Sequence, residues 1–210
     1  MSLFFFTVTY IIACANIKPF HRECQKDAIK RGWHPLVVEL TRGTQYFTLY
    51  GQLWLIIAMF TDFHPYKVIA RFMGLWVFGL YSAIVSYDPT LLAWDDPVLV
   101  RQVTGVLPPT NKYVVVWCGL FFQHRIVPLW YILVEPIRPM LIEGILAFVA
   151  GYLFILWSEF TWYVQGRPAY PIQEKLGEHY GAAKHGILWL MAITIIISCT
   201  DEPLALFRTP

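Results

Sequence analysis

Seven polar side chains lie within or at the edges of long apolar stretches, and they are the first candidates for chemistry in this chain. Four are ionisable and three carry hydroxyl or amide groups: His124, Arg125, Glu143, Glu159, Thr44, Thr48 and Gln52. Burying such groups in hydrocarbon costs free energy, so an ionisable residue inside a membrane segment is by default a hypothesis about function.

Thr44, Thr48 and Gln52 are spaced four residues apart, so on a helix they form one polar stripe. A threonine hydroxyl is a poor nucleophile until a base takes its proton, and histidine suits that task because its ordinary pKa is ~6.5. The residue types predict attack of a threonine on an ester, with His124 as the base, followed by hydrolysis of the acyl-threonine. Two alternatives stay open: threonines that bond back to their own helix, and a core histidine bonded to a carbonyl freed by Pro128.

The remaining ionisable groups have simpler interpretations. Glu143 and Glu159 flank an apolar run that also holds Ala147 and Gly151. The small pair predicts close helix packing, and the two glutamates are expected in solvated or snorkelling positions near the ends of the helix. Arg125 either snorkels to the membrane interface or binds an acidic headgroup.

Composition indicates what must position these groups. Of 210 residues, 57% are hydrophobic and 14% charged, whereas soluble domains average ~25% charged residues. Five runs contain no charged residue: 2–17, 43–61, 72–87, 144–158 and 186–200. A sixth run, 113–134, is apolar except for His124 and Arg125. A bilayer requires ~20 mostly apolar residues per helix, and snorkelling flanks extend the shorter runs. The sequence therefore predicts membrane helices.

The predicted fold is all-α, a polytopic membrane helix bundle with six transmembrane helices in a single transmembrane domain covering 1–210. The predicted spans are about 2–17, 44–62, 67–87, 113–134, 141–163 and 185–200. Loop three, at 88–112, has four prolines and apolar patches, which favours a re-entrant segment. Residues 3–15 could instead be a signal peptide, but the cationic start of such peptides is absent.

Charge distribution predicts an orientation. Loops one, three and five carry 11 Lys and Arg residues, against 4 in the other loops and the tails. The positive-inside rule then places the odd loops in the cytosol and both termini outside. The second and fourth helices run in the same direction, so Thr48 and His124 are expected to approach the same side of the membrane.

Several functional classes are not supported by the residues. A net charge of +2 gives no basis for nucleic-acid binding. The four cysteines lack a CxxC spacing, and no disulfide framework is predicted. The six histidines lack an HxxxH pair, so neither a zinc site nor haem binding is predicted. No Gly-rich phosphate loop or GxSxG elbow is present, and no cofactor is expected.

Four stretches resemble the androgen-induced (AIG/ADTRP-like) family of multipass membrane hydrolases, which cleave fatty acid esters of hydroxy fatty acids (FAHFA). The stretches are GTQYFT (43–48) leading to TD (61–62), YDP (87–89), HRIVPLWYILVE (124–135) and GYLFILWSEFTWYVQGRPAYP (151–171). The resemblance implies a threonine hydrolase of lipid esters with long acyl chains. It also implies a multi-pass integral protein, with the endoplasmic reticulum membrane favoured over the plasma membrane.

Carried over residue by residue, Thr48 resembles the nucleophile of the family and His124 its partner base. The segment from Thr48 to Asp62 is about one helical turn shorter than the family pattern, so an alignment fixed on Thr61 and Asp62 selects Thr44 instead. Arg125 stands where the family has an uncharged residue. The alternative function is a non-catalytic membrane protein with a regulatory or scaffolding role.

Overall fold

The computed structural model describes residues 7–8, 20–92, 101, 122–134 and 137–199, and their side chains except those of 20–23, 42–44, 122–123 and 134. This described part is helical and contains no strand. Its α-helices are α1 (Phe20–Lys30), α2 (Pro35–Thr44), α3 (Phe47–Thr61), α4 (His64–Tyr87), α5 (Val127–Val134), α6 (Leu141–Gln165), α7 (Pro171–Leu176) and α8 (Tyr180–Cys199). Short 3₁₀ helices cover Pro89–Leu91 and Gly177–His179, and a π-helix, Phe122–Ile126, precedes α5.

Three helical segments in the described part are long and apolar enough to cross a membrane: α4, α6 and the continuous segment Pro171–Cys199. They correspond to the predicted third, fifth and sixth spans. The second predicted span becomes α3, whose 15 residues cover ~22 Å at 1.5 Å per residue, less than the ~30 Å of a hydrocarbon core. All of the first predicted span except residues 7–8 lies outside the described residues, as do most of the re-entrant segment and the first part of the fourth span.

α4 and α6 run parallel to each other and antiparallel to α3 and α8, so the bundle has two distinct ends. At the first, which we call the Tyr87 end, α3 and α8 begin and α4 and α6 finish, and the backbone N–H of Phe47 donates to Tyr170 Oη at 3.1 Å. At the opposite end, which we call the His64 end, Arg71 Nη1 donates to the carbonyl oxygen of Ile137 at 3.1 Å. α4 is the central helix and packs on α3, α5 and α6, while α8 packs on α6.

The first predicted loop, 18–43, contains two helices. α1 and α2 pack on each other and on the last turns of α6, where Ala28, Val38 and Val164 form a small buried cluster. Gln165 Nε2 donates to Thr41 Oγ1 at 2.7 Å and to the carbonyl oxygen of Val38 at 3.0 Å. The many charges of this segment therefore lie on amphipathic helices that cover the Tyr87 end.

Small residues bring α6 close to its neighbours, as the sequence predicted. Ala147 is fully buried. A Cβ added at Gly151 would contact Met191 and would come within 2.9 Å of the Trp76 ring. Glycine at this position therefore allows α4, α6 and α8 to meet.

We expect Gly151→Ala to lower the thermal unfolding midpoint of the purified protein, because overpacking a tight interior costs about 1–3 kcal/mol. Gly79→Ala is the matched control, since a Cβ at Gly79 meets no atom within 4 Å. Because Gly79 lies inside α4, Gly79→Ala should leave the stability unchanged or raise it by up to ~1 kcal/mol. A Gly151→Ala midpoint equal to that of the control would contradict the close packing.

The outer surfaces of α6 and α8 are apolar. Their exposed large hydrophobic residues are Leu141, Ile142, Ile145, Leu146, Val149, Tyr152, Leu153, Leu156, Phe160, Tyr163, Trp189, Leu190, Ile193, Ile196 and Ile197. Soluble monomers rarely expose such continuous apolar surface, whereas lipid covers it without penalty. These helices are therefore suited to contact with hydrocarbon.

Glu143 is not solvated, in contrast to the expectation from sequence. Its side chain is buried at the start of α6, with His64 Nδ1 2.6 Å from Oε1. The backbone N–H of Met140 donates to its Oε2 at 2.9 Å. The carboxylate thus joins the first turns of α4 and α6 at the His64 end.

We expect His64→Ala to destabilise the protein by about 1–3 kcal/mol, because it leaves a buried carboxylate with one partner fewer. Glu143→Gln should be milder, since the amide oxygen still accepts a hydrogen bond. Thermal unfolding measures both variants, and His179→Ala, at an exposed position, is the control. Equal midpoints for His64→Ala and His179→Ala would show that the pair contributes nothing to stability.

Candidate functional site

A cavity of about 230 Å³ opens between α3, α4, α6 and α8 at the Tyr87 end. Most of its wall is aliphatic or aromatic. Its polar or ionisable lining residues are Thr48, Tyr81, His124, Ser158, Tyr170, Gln173, Tyr180 and Lys184. Ligand sites commonly have this character, an apolar pocket with a few placed polar groups.

Thr48 lies in the first turn of α3 and is 7% exposed. Most other described threonines inside helices bond back to a carbonyl oxygen of their own helix: Thr41, Thr61, Thr161 and Thr194. No such bond is present for Thr48 within the described part of the chain. Its hydroxyl is therefore not held by its own helix and is available to a group in the cavity.

His124 lies on the π-helix that precedes α5, and its ring stacks on Tyr81 of α4. The ring centroids are 4.3 Å apart and the planes differ by 25°. Arg125 Cζ lies 5.7 Å from the centroid of the same tyrosine ring, so Arg125 and His124 both contact Tyr81. Single π-helical turns occur often at functional sites.

The structure brings Thr48 and His124 to the wall of one cavity. Between these two described side chains there is no direct hydrogen bond. Catalytic hydrogen bonds are often long in ligand-free enzymes and tighten only when the substrate binds, or they pass through one water molecule. The roles of nucleophile and base therefore stay predictions, and the shared cavity is the observation that favours them.

The other two members of the polar stripe have different positions. The side chain of Thr44 lies outside the described residues. Gln52 is 4% exposed, and neither atom of its amide has a hydrogen-bond partner in the described part. Gln52 and Thr48 both line a second cavity of about 20 Å³, and a water molecule requires ~10–15 Å³ measured in this way.

Tyr170 connects the polar side of the main cavity to α3. Its phenol oxygen accepts the hydrogen bond from the N–H of Phe47, the residue before Thr48. Burial raises the pKa of Tyr170 to about 12, although that hydrogen bond acts in the opposite direction. The phenol therefore keeps its proton at neutral pH and remains a donor towards the cavity that it lines.

Gln173, at the start of α7, is the centre of a hydrogen-bond network on the same side. Its Oε1 accepts from the backbone N–H of Tyr170 at 3.2 Å. Its Nε2 donates to Ser158 Oγ at 3.2 Å and to Tyr180 Oη at 3.4 Å. This network joins α6, α7 and α8 around the opening of the cavity.

Glu159 is paired, not simply solvated as the sequence suggested. Its Oε1 lies 2.7 Å from Lys184 Nζ, and both side chains are about one-third exposed. Within the described ranges, no group of three or more His, Cys, Asp or Glu side chains could hold a metal ion.

Sequence reasoning missed Ser158, Gln173 and Tyr180 as site residues. Their polar groups meet only because α7 turns back over the ends of α6 and α8. The only signal was the Tyr-Pro step at 170–171, because proline favours the first turn of a helix.

No family model, no curated protein and no solved structure matches this chain.

Proposed function

We propose that this protein is a polytopic membrane hydrolase with six spans that cleaves lipid esters, specifically fatty acid esters of hydroxy fatty acids. Thr48 is the nucleophile and His124 the base. The observation that carries the proposal is the meeting of these two residues on one largely apolar cavity. The FAHFA-hydrolase resemblance of the surrounding motifs supports the choice of substrate.

The reaction proceeds in two steps, acylation of Thr48 and hydrolysis of the acyl-threonine. Thr48 Oγ attacks the ester carbonyl carbon while His124 takes its proton. The tetrahedral intermediate collapses, the alkoxide leaves with the proton from His124, and an acyl-threonine remains. Water then attacks this ester, His124 accepts a proton from the water, and Thr48 recovers its proton as the fatty acid departs.

Tyr170 is the candidate donor for the developing oxyanion. Its phenol is protonated at neutral pH, lines the cavity and is bonded to the residue next to Thr48. Donors aimed at the oxyanion commonly contribute more to the rate than any other single group. The amide of Gln52 is a second candidate, because it lies one helical turn from Thr48.

The surroundings suit a substrate that arrives from lipid. The apolar outer faces of α6 and α8 contact hydrocarbon, and the same helices form two walls of the cavity. By the positive-inside rule, the Tyr87 end and its cavity face the cytosol. We propose the endoplasmic reticulum membrane, in preference to the plasma membrane, as the location of the protein.

The test combines turnover with covalent labelling. The full-length protein in lipid nanodiscs is incubated with a FAHFA, and release of the two fatty acids is measured by mass spectrometry. A fluorophosphonate probe should form an adduct on the peptide that contains Thr48. Absence of both turnover and adduct would contradict the proposal and favour the regulatory or scaffolding alternative.

A further inference from the structure

The orientation of the Gln173 amide determines which groups at the cavity opening are donors. Its Oε1 faces the backbone N–H of Tyr170 at 3.2 Å, and a backbone N–H can only donate. The carbonyl oxygen of the amide must therefore be on that side. It follows that Nε2, with two hydrogens, faces Ser158 Oγ and Tyr180 Oη.

The two hydroxyl groups are consequently acceptors towards Gln173. A hydroxyl has one hydrogen of its own, and it must direct that hydrogen to another acceptor. Within the described part of the chain, neither Ser158 nor Tyr180 donates to a protein acceptor. Because both residues line the cavity, their O–H groups form a pair of donors at its opening.

Lys184 adds positive charge next to this pair. It lies one helical turn after Tyr180 on α8, and its side chain lines the same cavity. Its ammonium has three N–H donors, one of which is directed to Glu159 Oε1 at 2.7 Å. Two donors remain for a ligand, and Glu159 holds the lysine in place.

Beyond these donors, one face of α8 offers a path for the apolar chain of a ligand. From Tyr180 to Met191, the α8 residues that line the cavity are four, three and four positions apart, so they share one face. That face extends ~16 Å along the helix. Its inner part, Ile187 and Met191, is apolar and lines the cavity together with Phe154 of α6.

We propose that Ser158, Tyr180 and Lys184 form a binding site for the carboxylate of a long-chain carboxylic acid. Two hydroxyl donors and an ammonium match the two oxygens and the charge of a carboxylate, while the apolar face of α8 receives its chain. The ligand is either a free fatty acid or the acid end of an ester substrate. The second case rests on the proposed function, whereas binding of the acid itself does not.

The first experiment measures binding without hydrolysis. The full-length protein in nanodiscs is loaded with a fluorescent fatty acid, which is displaced by a fatty acid or by the alcohol of equal chain length. We expect the acid to compete at least about tenfold better than the alcohol. Tyr180→Phe and Ser158→Ala should each weaken the acid roughly tenfold, the effect of one hydrogen bond to a charged group, and leave the alcohol unchanged.

Three further variants exclude a purely structural explanation. Tyr163→Phe removes a hydroxyl from the exposed face of α6 and should have no effect. Lys184→Met should remove the preference for the acid, and Lys184→Arg should restore it. Equal binding of acid and alcohol by the wild type, or parallel losses of both in Tyr180→Phe and Ser158→Ala, would overturn the carboxylate site.

A second measurement separates this inference from the proposed function. The hydrolysis rates of a FAHFA and of its methyl ester are compared, since only the first has a free carboxylate. Cleavage of both at equal rates would leave the hydrolase in place and refute binding of the acid end of the substrate at this site. Selective binding of the acid without cleavage of either would support the site and refute the hydrolase.

Discussion

Replacing Thr48 by alanine is expected to lower the kcat for FAHFA hydrolysis by at least roughly 10³-fold, because it removes the attacking atom. KM should change little, since the largely apolar cavity wall loses only one methyl group besides the hydroxyl. Thr48→Ser keeps a hydroxyl at the same position and should retain measurable turnover. Initial rates in nanodiscs, with the released fatty acid as the readout, measure all three proteins.

Thr161→Ala is the matched control for this experiment. Thr161 is 1% exposed on α6, and its hydroxyl donates to the carbonyl oxygen of Ser158 within the helix. Its loss removes the same atoms from a buried site outside the cavity, so turnover should be kept. Full activity in Thr48→Ala with loss of activity in Thr44→Ala would identify Thr44, one helical turn earlier, as the nucleophile. Full activity in both variants would exclude both threonines as the nucleophile.

The apolar helices were predictable because one local property determines them. A bilayer requires ~20 apolar residues per helix, and such runs are visible in sequence without any knowledge of contacts. The predicted spans 67–87 and 141–163 accordingly fall on α4 and α6, His64–Tyr87 and Leu141–Gln165. The charges of segment 18–43 predict a loop, although a helix with one apolar and one charged face is typical of a protein surface.

Long-range pairs were not predictable. Glu143 is buried because His64, 79 positions earlier in the chain, lies beside it, and a single sequence contains no information on that proximity. The same limit applies to the Gln173 network, whose partners lie on three helices. By contrast, the direction of successive helices follows from their count alone, and Thr48 and His124 line one cavity at the Tyr87 end.

The local geometry of the histidine depends on a feature that sequence patterns do not reveal. A π-helical turn changes the angular position of every residue that it contains relative to an α-helix. Residues 122–126 form such a turn, and this sets which face of the segment carries His124 towards Tyr81. An α-helical wheel would therefore place Arg125 and His124 incorrectly.

His124→Phe is expected to lower kcat by about 10²–10⁴-fold, the usual contribution of a positioned general base. Phenylalanine preserves an aromatic ring to stack on Tyr81, so the packing of this segment should remain. The variant therefore separates proton transfer from structure. The rate of fluorophosphonate labelling at Thr48 should fall with kcat, because the probe also requires an activated hydroxyl.

The unfolding midpoint provides the control for His124→Phe. If His124 were only a core histidine, its replacement would lower the midpoint and leave the labelling rate per folded molecule unchanged. A base predicts the opposite pattern, a normal midpoint with slow labelling. His185→Phe is the matched control. His185 is exposed on α8, where Nδ1 lies 2.7 Å from the carbonyl oxygen of Gly181, and it does not line the cavity. Its replacement should change neither the midpoint nor the labelling rate.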